Sequence, residues 1–430
     1  MRRTLAIALV GAAACASALP RGEPEPAAES GIDQGDQPVR IALATASRSA
    51  RVGGTGSWRI YSRNSSNLVA SGRPDDTMTI EVRGRKMVAI RSNGSVTSRH
   101  SGPFIVRSAT PGSFVKHGGK RYRGELLITT TDSGMLVVNR LGVESYLRGV
   151  VPLEIGNRQT GEEAAVEAQA VAARSYSYIR MTSRETRPFD MYSSVQDQVY
   201  GGVDAEKPMP DAAVLATKDM VLRYAGRIVN TPYSSTCGGS TAGVEEVWWR
   251  EPDQPHLRPV SDRISGSDRF YCDASPRFRW TSTFDQNELR ATLEKYLEQV
   301  SGAREMTVAP AGGQRVSLGR ISGIRVEGRT ASDRAATLTI QTGRGNSVVR
   351  GNDIRFLLRT PTGTILNSTY FTAQTESDSA GEISRLTLTG GGYGHGIGMC
   401  QWGAIGRARA GQDYRTILTT YYPGTTVGSI

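Results

Sequence analysis

The sequence predicts an α+β fold, and three observations carry that reading. After residue 38, short stretches alternate apolar and polar residues up to about residue 131. One long Ala-rich helical segment follows, from Glu162 to Met181. Beyond it strands and helices interleave without the βαβ period that a parallel sheet requires.

The elements can be justified in chain order. Val39–Leu43, Trp58–Tyr61, Met78–Val82, Lys86–Ile90 and the region around Phe104–Val106 read as strands, punctuated by Gly, Asn, Asp and Pro. His100 and His117 stand among Gly and Ser and read as exposed loop histidines. Met135–Asn139 predicts a further strand, and Val143–Leu147 a short helix leading to Val150-Val151-Pro152 and Glu154. The Glu162–Met181 helix has acids in its first turn and Arg180 in its last, as the helix dipole favours. Its centre is small and apolar nearly all round, so it should be buried. Asp285 with Glu288 makes a capping box for a helix carrying Leu289, Leu293, Leu297 and Val300, with Gly302 at its end. Residues 321–327 and 337–341 predict a hairpin, and Gly351-Asn352-Asp353 opens a short helix. A Gly-rich loop then enters a helix near Gln401 that stops at Gly411, and another helical piece ends before Pro423.

The first residues read as an export signal. Met1–Arg3 is basic, and Leu5–Leu19 is an apolar run too short to span a bilayer. Two cleavage sites compete. Ala16-Ser17-Ala18 suits ordinary signal peptidase, whereas Ala12-Ala13-Ala14-Cys15 resembles a lipobox with Cys15 lipidated. Four units are therefore expected: a signal over 1–18, a polar tether over 19–38, an accessory β-rich domain over 39–131 and a mixed domain over 132–430. The formal charge of +11 comes from Arg, since only six of the 52 basic residues are Lys. No Lys/Arg tract accompanies it, which argues against a nucleic-acid partner. No run of 18 apolar residues occurs, which argues against a polytopic membrane protein; a lipid anchor would be the only membrane contact. Four Cys in 430 residues do not make a disulfide scaffold.

Four motifs are more specific. They are Gly149–Glu154 followed by Glu167–Tyr176, then Asp197–Gly202, then Ser235–Ala242, and finally Gly394–Ala404 running on to Tyr421–Thr425. In this order they closely resemble the SpoIID/LytB family over roughly residues 134–430. The resemblance implies a mixed domain with a long catalytic cleft and a bacterial envelope protein acting on peptidoglycan glycan strands as a lytic transglycosylase. The alternative it implies is a non-catalytic glycan-binding stimulator of a cell-wall amidase. It places the catalytic acid at Glu154 and a cleft residue at Arg174. Two positions depart from the usual pattern: Ile155-Gly156-Asn157 follows the Glu, and Cys400 stands where Ser is common.

A single carboxyl in an apolar loop suits an acid that later serves as base, because desolvation raises its pKa. No second acid adjoins Glu154, and Asp197 is the nearest candidate. Arg174 must find a partner inside its apolar helix, either Glu167 two turns back or a substrate carboxylate. Tyr200, Thr236, Trp248, Trp249, His395 and Gln401 are candidates for lining a glycan site; Tyr200 and Thr236 read equally as core, each Trp more readily as core, and His395 alternatively as a structural residue holding its loop. Cys237 and Cys272 are expected to pair after export, leaving Cys400 a lone buried thiol. Some relatives bind zinc. Neither cysteine has a C-x-x-C partner, however, and only His256 lies between them, so no metal or other cofactor is expected and zinc is the lesser alternative.

Overall fold

A computed structural model describes residues 38–62, 67–301, 315–360 and 362–430. The export signal, Cys15, Gly302 and the expected tether up to residue 37 lie outside the described residues. Helices and strands are mixed as expected for an α+β chain.

The N-terminal strands build two sheets, antiparallel throughout except where Val39–Ser47 also pairs in parallel with the later strand Met191–Tyr192. One has seven strands, in the order Met191–Tyr192, Val39–Ser47, Gly134–Leu141, Glu125–Thr131, Phe104–Ser108, Trp58–Ser62, Asn67–Gly72. The other has five, in the order Lys86–Arg91, Thr77–Arg83, Ser49–Gly54, Val115–His117, Lys120–Tyr122. His117 ends a strand and His100 bridges to Met87, so both are half-buried rather than loop residues.

The boundary expected at residue 131 falls inside a hairpin. Glu125–Thr131 pairs directly with Gly134–Leu141 through Thr131 opposite Gly134. On its other edge Gly134–Leu141 pairs with Val39–Ser47, in register Val39 to Leu141. One buried cluster runs from Val39 through the Ala-rich helix to Tyr422. Alternation marks a strand, but only register says which strand covers it.

The Ala-rich helix spans Glu163–Ser183 and is the axis of this larger core. Its small side chains let neighbours approach closely. They are the helices Pro208–Ala216, Gln401–Arg409 and Tyr414–Tyr421 and the strand Met220–Tyr224.

A second buried cluster lies between Trp280 and Leu388. It contains the strand Arg279–Asp285, the helix Gln286–Val300, the three-stranded sheet Ile321–Arg329/Ala335–Thr342/Gly345–Arg350 and the hairpin Phe371–Ser377/Ile383–Gly391. The expected capping box is present. Asp285 accepts the Glu288 N–H at 2.9 Å, and Glu288 accepts the Asp285 N–H at 3.2 Å. The segment expected as one mixed domain over 132–430 thus holds two cores.

Candidate active site

Glu154 ends a single helical turn, Val151–Glu154, whose Pro152 sits where a missing N–H costs nothing. Val150 and Val151 are fully buried and anchor the turn, while Leu153 is exposed. The facing loop, residues 197–202, approaches because two glycines leave room. A Cβ on Gly149 would lie 2.6 Å from the Tyr200 ring, and one on Gly201 would lie 2.8 Å from Leu153 Cδ1. The approach brings the Val199 N–H to Glu154 Oε1 at 2.8 Å. From the other side Gln401 Nε2 donates to the Glu154 carbonyl and to Gln169 Oε1, both at 3.1 Å.

Burial pushes the Glu154 carboxyl up to about 7, against the opposing hydrogen bonds from Val199 and Gln401. The group is therefore divided between acid and carboxylate near neutrality. Tyr146 and Tyr233 are raised well above the ordinary phenol value by burial first and by the charge of Glu154 next. Both hydroxyls stay protonated and can only donate or accept hydrogen bonds there.

Asp197, the expected second acid, is already committed. It accepts from Tyr176 Oη at 3.0 Å, from Arg184 Nη1 at 2.9 Å and from the Tyr192 N–H at 2.9 Å. Its neighbour Gln198 is buried, accepts from Tyr146 Oη at 3.1 Å and donates to Tyr233 Oη at 2.9 Å. These contacts pin the loop that presents the Val199 N–H. Sequence reasoning missed Gln198 and Val199 as positioning residues. A backbone N–H has no side-chain signature, and Gln198 was visible only as part of a motif.

The other expected site residues separate. Gln401 joins Glu154. Arg174 does not: its side chain is fully buried, Nε and Nη2 each donate to Glu144 at 2.7 Å, and the rest of the fork reaches the Met220 and Val214 carbonyls. Neither Glu167 nor a substrate carboxylate is its partner. Tyr200 is core, its hydroxyl donating to Asn139 Oδ1 at 2.8 Å and its ring tilted 5.1 Å from Tyr146. Thr236 is buried and pairs through its backbone with Tyr393. Trp249 donates to Asp353 of the second core at 3.4 Å. His395 accepts the Ile397 N–H at 3.0 Å and packs on Trp248 at 5.5 Å, so it holds its own loop. Burial, with Arg355 and Arg334 nearby, pushes it down to about 3 and keeps it neutral. Cys237 and Cys272 are free thiols with sulfurs 3.6 Å apart, and Cys400 is not alone, since its sulfur accepts the Cys237 N–H.

A family model described as Stage II sporulation protein matches residues 131–224, the segment that carries the Glu154 turn, the central helix and the 197–202 loop. An uncharacterized protein of Brachyspira hyodysenteriae is 30% identical over 310 residues, 72% of this chain and 73% of that one. The amidase enhancer of Bacillus subtilis is 33% identical over 312 residues, 66% of this chain. Stage II sporulation protein D of the same organism is 28% identical, covering 67% of this chain and 75% of its own length. This chain belongs to the SpoIID family. It spans only 40% of the length of the amidase enhancer. A domain of unknown function matches residues 260–398, which enclose the second core of this SpoIID-family chain.

Proposed function

We propose that the protein is an exported lytic transglycosylase that cuts peptidoglycan glycan strands with Glu154 as its only acid and base. The observation that carries the reading is the half-buried Glu154 carboxyl, raised to about 7 and held by the Val199 N–H, with Gln401 holding the backbone of the same residue. A carboxyl in that state gives up a proton and takes one back without a large cost either way. Glu154 protonates the oxygen leaving the muramyl C1, and the C1–O bond breaks. The carboxylate then removes the proton of the muramyl C6 hydroxyl, whose oxygen closes on C1. The products are a free 4-hydroxyl on one sugar and a 1,6-anhydro end on the other, and Glu154 is again protonated. No water is consumed, so no second carboxylate is needed, unlike the pair that a hydrolase uses. Met1–Leu19 supports export to the envelope, and Cys15 offers a lipid anchor.

The likeness to the amidase enhancer favours one other reading, a glycan-binding protein that stimulates a cell-wall amidase without cutting strands. Incubation with glycan strands stripped of stem peptides, followed by mass spectrometry, separates the two. The proposal expects anhydromuramyl ends from the wild type and their loss in Glu154→Gln. Intact strands together with amidase stimulation would support the other reading.

A further inference from the structure

We propose that Cys237, Asp262, Cys272 and Cys400 form a zinc site inside the larger core. One ligand atom from each lies within 4.8 Å of all the others, and all four residues are buried. Two edges from Cys237 Sγ suit a tetrahedron. Cys237 Sγ is 3.6 Å from Cys272 Sγ and 3.7 Å from Asp262 Oδ2. Zinc–sulfur bonds of about 2.3 Å and zinc–oxygen bonds of about 2.0 Å demand edges of about 3.8 Å and about 3.5 Å. Three sulfurs and one carboxylate oxygen are a soft, closed donor set of the kind that selects zinc over magnesium or calcium.

The surroundings orient these ligands. Asp262 spends its outer oxygen on the protein, Oδ1 accepting from Tyr421 Oη at 2.6 Å and from Arg407 Nη2 at 3.2 Å. That leaves Oδ2 toward the sulfurs. Cys400 Sγ accepts the N–H groups of Cys237 at 3.2 Å and Gly403 at 3.3 Å, and Cys237 Sγ accepts that of Gly239 at 3.4 Å. Backbone donors aimed at sulfur favour the deprotonated, metal-binding form. Gly403 makes room, for a Cβ there would lie 2.2 Å from Asp262 Oδ2.

A Cys237–Cys272 disulfide would use two of these groups and leave a third thiol and a carboxylate buried beside it. A metal uses all four. On binding, each thiol that ligates releases its proton to solvent and nothing is oxidised or reduced. The site would clamp three stretches of chain at one point. One of them, Cys400, immediately precedes Gln401, which holds the backbone of Glu154. The inference does not depend on strand cleavage.

The test is the metal content of the full chain purified from zinc-supplemented medium without chelators. About one zinc per chain is expected by inductively coupled plasma mass spectrometry. Replacing zinc by cobalt should give thiolate-to-metal charge-transfer absorption, which exposed surface sites do not. Cys272→Ser should lower zinc affinity at least tenfold, and Asp262→Asn should lower it less. If Cys272→Ser does not fold, the wild-type stoichiometry and the cobalt spectrum still decide. Folded wild-type protein without metal, cobalt bands lacking thiolate character, or a Cys237–Cys272 disulfide found by peptide mapping would each overturn the proposal.

Discussion

Glu154 and Asp262 both adjoin residues of the larger core, and burial pushes both carboxyls to about 7, yet their settings are opposite. Glu154 ends a helical turn, is only half-buried and accepts the Val199 N–H on one oxygen. Asp262 is fully buried and enclosed by Tyr421, Arg407 and three sulfurs. Desolvation is the largest cause in both, with the charge of Cys400 adding to it at Asp262, so the raised value does not tell the two roles apart. What distinguishes an acid that can serve a substrate from one that holds the fold is whether solvent, and so a ligand, can reach it.

The largest expected effect tests that distinction directly. Glu154→Gln should lower strand cleavage by about 10²–10⁴-fold, the range for losing a general acid–base group. The folded structure should persist, because glutamine keeps the shape and the Val199 contact. Asp262→Asn should instead lower the melting temperature and spare the cleavage rate per folded molecule to within tenfold. Equal loss of cleavage in two folded variants would erase the contrast between the open and the sealed carboxyl.

Arg174 belongs with the sealed group, although its motif suggested otherwise. Arg174→Met would leave Glu144 facing the core without its cation. Breaking a buried pair from one side costs on the order of 3–5 kcal/mol, so chemical denaturation should show a loss of that size. The pH dependence of any remaining cleavage should not move. A shifted profile with full stability would return Arg174 to the active site.

The third effect is a pH signature. Glu154 has a folded value of about 7 against an ordinary 4.5. Between those values the folded state binds the extra proton, so this group makes stability fall as pH rises from about 4.5 to about 7. At 1.36 kcal/mol per unit the full penalty is at most about 3 kcal/mol, reduced by solvent at a half-buried group. Glu154→Gln removes it, so the variant should be more stable than the wild type at pH 8 and nearly equal at pH 4. Cleavage by the wild type should decline above about pH 7 as the proton donor is lost. An unchanged stability difference across that range would mean that Glu154 titrates as an ordinary surface acid.

The sequence made local features legible and long-range pairings much less so. The central helix was readable because its Ala-rich centre has no polar face, and the Asp285/Glu288 cap because both partners lie within one turn. Glu154 was readable through its motif. The partner of Arg174 was not, since Glu144 lies 30 residues upstream on another helix while Glu167 looked nearer. The limit of the β domain is hidden for the same reason, because Val39–Ser47 pairs with Gly134–Leu141 on one side and with Met191–Tyr192 on the other, both beyond residue 131. Spacing likewise paired Cys237 with Cys272 and missed that folding brings Cys400, 163 residues from Cys237, to the same point.

Gln401 lies where the open and sealed sites meet, and its effect should be the smallest and the most informative. It follows Cys400 directly, is buried, and spans the Glu154 carbonyl and Gln169 Oε1 with one amide nitrogen. Gln401→Ala removes both bonds and leaves buried acceptors unsatisfied, a loss of about 1–3 kcal/mol. If Gln401 only filled space, Gln401→Met, which matches its volume, would restore the cleavage rate. If it orients the Glu154 turn, Gln401→Met should recover most of the stability while cleavage stays about tenfold low, since about 1.4 kcal/mol of lost positioning is one factor of ten. Measured together, melting temperature and cleavage rate decide whether the thiol cluster and the acid are mechanically linked through this one side chain or merely adjacent in the chain.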